Sequence, residues 1–426
     1  MAYEVTNLKN GIRAVAAPMK ERNSVSVGIW VHVGGRHEDE RLSGVSHFLE
    51  HIVFKGTKSR TANQIKESIE GVGGSMNAFT SEEYTCFLAK IARKHFENVF
   101  DVLSDMVLGA SITEADLEKE RTVIMEEVKM TQDQPSQLAD ELLSEIVWPK
   151  HPLGRPLAGT LQSVAGLSRA DIAGYRDRYY QPNLLTVAAA GDIDQKTLVR
   201  AVERNFTGPK SAAAPVMDVF RVQQQKPAVR IHKKDTEQTH LSVALHSFSK
   251  DHPDEFVLDV LNVILGGNMS SRLFNEVREE RGLAYDVGSF VRRYHETGAF
   301  VVSAGVDTEK APQALEVILK ELAKSAKELA PSEEIRRAKD FYLGQLDLGL
   351  ENSMNQMLWA GENIVTLGKI RTPKEVAEQV EKVSAEDIRR VAEAVFRTNS
   401  LNLAMAGPVK SDKEFEDILH FPWIAG

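Results

Sequence analysis

The chain is 426 residues long, with 42% hydrophobic and 27% charged residues and a formal charge of −9, a length that exceeds one ordinary core and predicts two or more domains of globular type. The acidic balance argues against nucleic acid as the principal partner and is compatible with basic peptides, although net charge speaks first to solubility. No run of about 18 uninterrupted apolar residues predicts a membrane span, and the lone Cys86 excludes an intrachain disulfide framework or a thiolate-rich metal site.

Residues 1–6 lack the basic, apolar, small order of a signal peptide and run straight into strand-like sequence. A reducing cytosol is the expected compartment, with a mature organelle protein stripped of its leader as the alternative. Period-two alternation predicts strands over 11–16 and 24–33. Next comes His47-Phe48-Leu49-Glu50-His51. On a helix the two histidines, four apart, project from one face within reach of a single ion, and Glu50 joins that side. Neutral imidazoles suit zinc, which in a catalytic site takes three protein ligands and leaves a position open to water. Helices are predicted over 62–69, 94–108 and 114–130, the last behind a capping region at Ser111-Ile112-Thr113. Between the first two, Gly73-Gly74 frees the backbone before an extended run, Asn77-Ala78-Phe79-Thr80, that ends in Glu82-Glu83. That run reads equally as an edge that pairs with a peptide as an added strand and as a hairpin edge blunted by charge. In the 114–130 helix, Glu120 and Glu127 lie two turns apart on one face while Glu126 points elsewhere. His151 to Pro156 is a loop by its prolines.

Gly208 to Pro215 reads as a linker and divides the chain into 1–207 and 225–426, with 208–224 between. The halves repeat. Ser168-Arg169-Ala170-Asp171-Ile172 and the strand from Leu185 to Gly191 match Ser384 to Ile388 and Leu401 to Gly407 at an offset of 216, which also pairs Val25–Trp30 with Leu241–His246. Two copies of one domain are predicted rather than a solenoid. Strands cluster in pairs instead of alternating strictly with helices, so the expected class is α+β, each copy a mostly antiparallel sheet packed with helices. The repeat also tests the metal reading against chance. At the same offset His47, Glu50 and His51 fall on Val263, Gly266 and Gly267, and at 218 Glu120 and Glu127 fall on Ala338 and Gln345. The fold repeats and the polar residues do not, which points to chemistry rather than to stability. Gly266-Gly267-Asn268 lacks the Lys-Ser/Thr ending of a phosphate loop and reads as a turn.

Four segments resemble the pitrilysin (insulinase and mitochondrial-processing-peptidase) family of inverted-motif zinc peptidases: Gly44 to Gly56 around the two histidines, Gly73 to Thr80, Glu120-Arg121 through Glu127, and Leu273-Phe274 through Tyr285. The length is similar to the shorter, two-domain bacterial or mitochondrial branch. The resemblance implies that His47, His51 and Glu127 hold one Zn²⁺ per chain and that Glu50 is the general base acting on a zinc-activated water. It implies that Glu120 orients a ligand histidine and that the 77–80 segment docks substrate. It also implies that Arg278 and Tyr285 meet the substrate near the scissile carbonyl. From the residues alone, Arg278 reads as a surface partner of a neighbouring glutamate and Tyr285 as core. In relatives the pair faces the metal domain from another domain, so a two-domain chain is expected to form a homodimer with composite sites. The expected activity is zinc-dependent endopeptidase action on peptides or unfolded segments. The alternatives are a non-catalytic subunit of a processing-peptidase or respiratory assembly, and a peptide-holding chaperone.

Overall fold

The computed structural model describes residues 3–208 and 212–421; positions 209–211 of the expected linker lie outside the described residues. The first copy runs β1 (Glu4–Asn7), β2 (Arg13–Pro18), β3 (Ser24–Val31), α1 (Val45–Ile52), α2 (Ala62–Ile69), β4 (Ser75–Thr80) and β5 (Thr85–Ala92). It continues through α3 (Phe96–Gly109), α4 (Glu114–Asp133), α5 (Pro135–Val147), α6 (Leu161–Gly166), α7 (Arg169–Tyr179), β6 (Leu185–Gly191) and α8 (Gln195–Asn205). The second copy follows the same plan. It contains β7 (Ala228–Lys233), β8 (Thr239–Ser247), α9 (Glu255–Leu265), β9 (Ala284–Arg293), β10 (Gly298–Val306), α10 (Ala311–Lys327) and α11 (Ser332–Leu350). It closes with α12 (Ser353–Leu367), α13 (Pro373–Lys382), α14 (Ala385–Val395), β11 (Leu401–Gly407) and α15 (Asp412–Ile418).

The first sheet has the order β1-β2-β6-β3-β5-β4 and the second β7-β11-β8-β10-β9. In each, one parallel pair (β2 with β6, β7 with β11) sits in an otherwise antiparallel sheet. This is the α+β architecture the strand clustering predicts, and β4 and β9 are the corresponding outer strands. The repeated Ser-x-x-Asp segments do the same local work in both copies. Ser168 and Asp171 form a capping box on α7, and Ser384 and Asp387 form its counterpart on α14, so each helix start is satisfied by its own side chains. Thr113 accepts the Asp116 N–H at 3.1 Å and caps α4 as its position predicts.

The compact units are not the two halves of the sequence. One comprises 1–129, 155–218 and 348–372; the other comprises 130–154, 219–347 and 373–426. The difference from a single cut at 208–224 has a simple cause. Helices α5 and α12, which the repeat places in the same position of each copy, are exchanged. In the first unit, Met357, Ala360 and Ile364 of α12 bury against Val15, Ala17, Trp30, Ala188 and Ala190. In the second, Leu138, Ala139, Leu142 and Leu143 of α5 bury against Ala244, Val301, Ala404 and Ala406. On its other face the first sheet packs α1, α2, α3, α7 and α8 around Ile29, Phe48, Phe87, Phe96 and Phe100. Among the described residues no helix is long and apolar enough to cross a membrane.

Candidate metal centre

Helix α1 is held by its apolar side. Val45, Phe48, Leu49 and Ile52 are fully buried at the i, i+3, i+4, i+7 spacing of a core-facing stripe, which leaves His47, Glu50 and His51 on the opposite, half-buried side. Its start is tight. Gly44 has φ of 92°, and a Cβ there would stand 2.6 Å from the Ala158 carbonyl oxygen, so only glycine serves. Glycine cannot cap with a side chain, and Glu38 does so from outside the helix: Oε2 accepts the Gly44 N–H at 2.7 Å and Oε1 the Ser46 N–H at 2.8 Å. Burial pushes the Glu38 carboxyl up to about 7, against the downward pull of those two bonds.

Helix α4 brings the third donor. Glu127 Oε2 lies 3.5 Å from His51 Nε2 and 3.8 Å from His47 Nε2, and one ligand atom from each of the three residues lies within 4.8 Å of the others. Among the described residues no other group of three such side chains is so arranged. The separations are longer than ordinary hydrogen bonds and close to the roughly 3.4 Å between donors about 2.1 Å from a tetrahedral ion. His47 Nδ1 is buried without a hydrogen-bond partner among the described residues, and burial, then the neighbouring His51, push this imidazole down to about 4. It is therefore neutral and a lone-pair donor at neutral pH. Two imidazoles and one carboxylate converging without bonding one another fit an open catalytic zinc site.

The flanking groups are ordered. Glu120, 5% exposed, takes His51 Nδ1 at 3.3 Å with Oε2 and Lys55 Nζ at 2.5 Å with Oε1. Glu50 accepts from Thr80 Oγ1 at 2.7 Å, tying α1 to the end of β4. Burial raises the Glu50 carboxyl, the Thr80 bond and His51 lower it, and Glu127 raises it further. Glu126 faces solvent beside Lys129, as its helical position predicts. On β4, Ala78 donates its N–H to Asn77 Oδ1 at 2.9 Å, and Ala78 and Phe79 pair inward with Phe87 and Cys86. Among the described residues the strand has no partner on its other side in the sheet.

Arg278 and Tyr285 lie in the other unit and are brought together there. Arg278 sits in a short π-helix, Phe274–Glu279, its guanidinium 4.8 Å from the Phe274 ring centroid and 5.2 Å from that of Tyr285. Glu279 is 3.8 Å away, so the guanidinium has the two rings beside it as well as the surface ion pair that Val277-Arg278-Glu279-Glu280 suggests. Tyr285 is not core; it is 76% exposed. The β9–β10 register passes from Asp286 to Ala284 across consecutive residues of β10, making Tyr285 the extra residue of a β-bulge. Bulges re-aim side chains and recur beside functional sites, as do π-turns.

Known proteins resemble both halves of the chain. The model of the insulinase family (peptidase family M16) matches residues 14–161, and that of the peptidase M16 inactive domain matches 166–342. The chain is 35% identical over 400 residues, 94% of its length and 97% of the relative's, to the "uncharacterized zinc protease YmxG" of Bacillus subtilis. The chain belongs to the insulinase (M16) family of zinc proteases. Its fold matches a crystal structure of a protease from Helicobacter pylori with a TM-score of 0.89 at 22% identity, covering 95% of this chain and 99% of that one. It also matches a chain of complex III from Candida albicans with a TM-score of 0.84 at 16% identity, covering 98% and 99%. Within this M16 chain, sequence reasoning passed over Glu38 and gave no role to Lys55 or Phe274. A helix start with only glycine at its cap is the one signal that called for an outside acceptor.

Proposed function

We propose that this M16 chain is a zinc-dependent endopeptidase cutting peptides or unfolded segments, with one Zn²⁺ held by His47, His51 and Glu127. The observation that carries the reading is the convergence of those three donors beside a half-buried Glu50, in the one copy of the repeat that has them. Zinc held by these three residues would supply Lewis acidity and lower the pKa of a water beside it towards about 7. Glu50 takes the proton of the attacking water and returns it to the leaving amine; its raised carboxyl suits it to both transfers. Thr80 holds the accepting oxygen, and Glu120 orients His51. The outer edge of β4 at Asn77 to Thr80 docks the substrate as an added strand, giving affinity through main-chain bonds with little sequence preference. Arg278, set beside the Phe274 and Tyr285 rings, and Tyr285 steady the developing oxyanion, a service whose loss typically costs about 100- to 1000-fold in rate. We place that pair at the metal centre of a second copy, in a homodimer of composite sites acting in the cytoplasm.

The likeness to a complex III chain favours a second reading, a subunit that keeps the fold without chemistry. Zinc content and cleavage of a quenched peptide, with and without chelator, separate the two. Glu50→Gln is expected to keep stoichiometric zinc and abolish cleavage. Normal turnover by the metal-loaded variant would remove the assigned base, and absence of zinc from folded wild-type protein would remove the reading itself.

A further inference from the structure

We propose that Lys55 is a positioning residue for the metal centre, acting through Glu120 on His51; the inference rests on the zinc reading above. The two carboxylate oxygens of Glu120 are divided between two partners. Oε1 is 2.5 Å from Lys55 Nζ, and Oε2 is 3.3 Å from His51 Nδ1. Glu120 is almost wholly buried, so an unpaired carboxylate there carries a heavy desolvation cost and is free to rotate about its last torsion. The ammonium removes both problems. With one oxygen fixed on Lys55, the other has a single direction in which to accept, and it meets the His51 ring. Nδ1 then carries the ring proton and donates it, which leaves the Nε2 lone pair facing Glu127 Oε2 at 3.5 Å. A histidine's outer hydrogen bond sets its tautomer and its tilt in this way.

His47 has no such support among the described residues, where its Nδ1 is buried with no hydrogen-bond partner. The orientation of the ligand pair therefore depends on the His51 side, and that side ends on Lys55. The lysine comes from the 3₁₀ turn Val53–Lys55 that directly continues α1, four residues beyond His51, while Glu120 comes from α4. The ion pair thus also fixes how the two ligand-bearing helices meet. Surface pairs of this kind contribute little, but here the carboxylate is buried and already engaged with a ligand. The second copy provides an internal control. The 216-residue offset carries Lys55 to Ser271 and His51 to Gly267, and Glu120 corresponds to Ala338. All three members are replaced together, and the Ser271 hydroxyl is buried without a partner among the described residues.

The test is zinc affinity, measured by competition with a chromophoric chelator on the purified full-length chain, for wild type, Lys55→Met, Lys55→Arg, Glu120→Gln and the Lys55→Met/Glu120→Gln double variant. Lys55→Met is expected to weaken zinc binding about 10- to 100-fold and to lower the melting temperature of the zinc-free protein, because Glu120 is left buried without its ammonium. Lys55→Arg restores most of the affinity. The double variant binds no more weakly than Glu120→Gln alone, because the lysine acts only through that carboxylate. Wild-type affinity in Lys55→Met, or effects of the two substitutions that multiply in the double variant, overturns the proposal. Should Lys55→Met not fold, Lys55→Gln asks the same question with a neutral side chain. Failure of the wild-type chain to take up zinc at all would strike the metal reading first, and that titration precedes any variant.

Discussion

Replacing Glu38 by Gln tests how α1 is held in place. The wild-type carboxyl is buried, sits at about 7 in the folded chain, and has an ordinary value of 4.5. Between those limits the folded state keeps a proton that the unfolded state has lost. Unfolding then releases a proton, and stability falls as pH rises. The contribution is fully present below 4.5 and is lost as pH passes through about 7. At roughly 1.4 kcal/mol per pH unit, it amounts to about 3 kcal/mol. Gln is close in shape and uncharged at every pH, so the variant has no such slope. The stability of Glu38→Gln relative to wild type is therefore expected to improve by about 3 kcal/mol from pH 4.5 to pH 8. At every pH the variant carries the same offset, because its amide nitrogen cannot accept the second of the two backbone N–H groups. The assay is urea unfolding of both zinc-free proteins across that range, read as a difference. Buried His32, His37 and His246, pushed down to about 3, 4 and 4, lower stability as pH falls below 6.5, but they titrate in both proteins and cancel. A difference that stays flat with pH refutes the reasoning. It would mean that the Gly44 and Ser46 N–H groups at the positive end of α1 outweigh burial and keep Glu38 ionised throughout.

Other perturbations probe the same frame. Phe48→Ala removes a fully buried ring from the apolar face of α1; a loss of about 3–5 kcal/mol is expected, and calorimetry in the presence of zinc should show the metal's stabilising effect reduced along with it. Phe274→Leu deletes one of the two rings that clasp Arg278. An interaction worth about 0.5–2 kcal/mol corresponds to a fall of about 2- to 30-fold in kcat/KM for a quenched peptide with zinc content unchanged, whereas an equal fall in zinc content would show that the effect reaches the metal centre instead.

The legible parts of this molecule are those that local periodicity dictates. The stripe Val45, Phe48, Leu49, Ile52 predicts which side of α1 is buried and so which side carries His47, Glu50 and His51. The seven-residue spacing of Glu120 and Glu127 likewise puts both on the face of α4 that meets those histidines, with Glu126 turned away. What the sequence withheld depends on chain segments meeting at a distance. Glu38 lies in Gly35-Arg36-His37-Glu38-Asp39-Glu40, a stretch that reads as solvated charge until the fold buries one carboxylate under a helix start. The exposure of Tyr285 was hidden for a different reason. Ala284, Val287 and Ser289 are buried, and a regular strand would alternate its faces; only the bulge against β10 sets Tyr285 apart from that alternation.

The exchange of α5 and α12 was invisible because a duplication supplies two helices that fit the same description, each amphipathic and each following a long helix. Their sequences nevertheless differ where they meet the sheets. In the first unit Trp30 is wholly buried and packs so closely on α12 that a Cβ at Gly361 would stand 2.3 Å from its Cη2 atom. By the repeat, Trp30 corresponds to His246 and Gly361 to Leu143. Helix α5 on the first sheet would bring a leucine into space that the indole fills, while α12 on the second would set a glycine opposite a smaller ring and leave a void. Overpacking and cavities both carry a cost in a close-packed interior, so volume complementarity at this one position favours the exchanged pairing over the unexchanged one, even though the backbone plan of the two copies permits either.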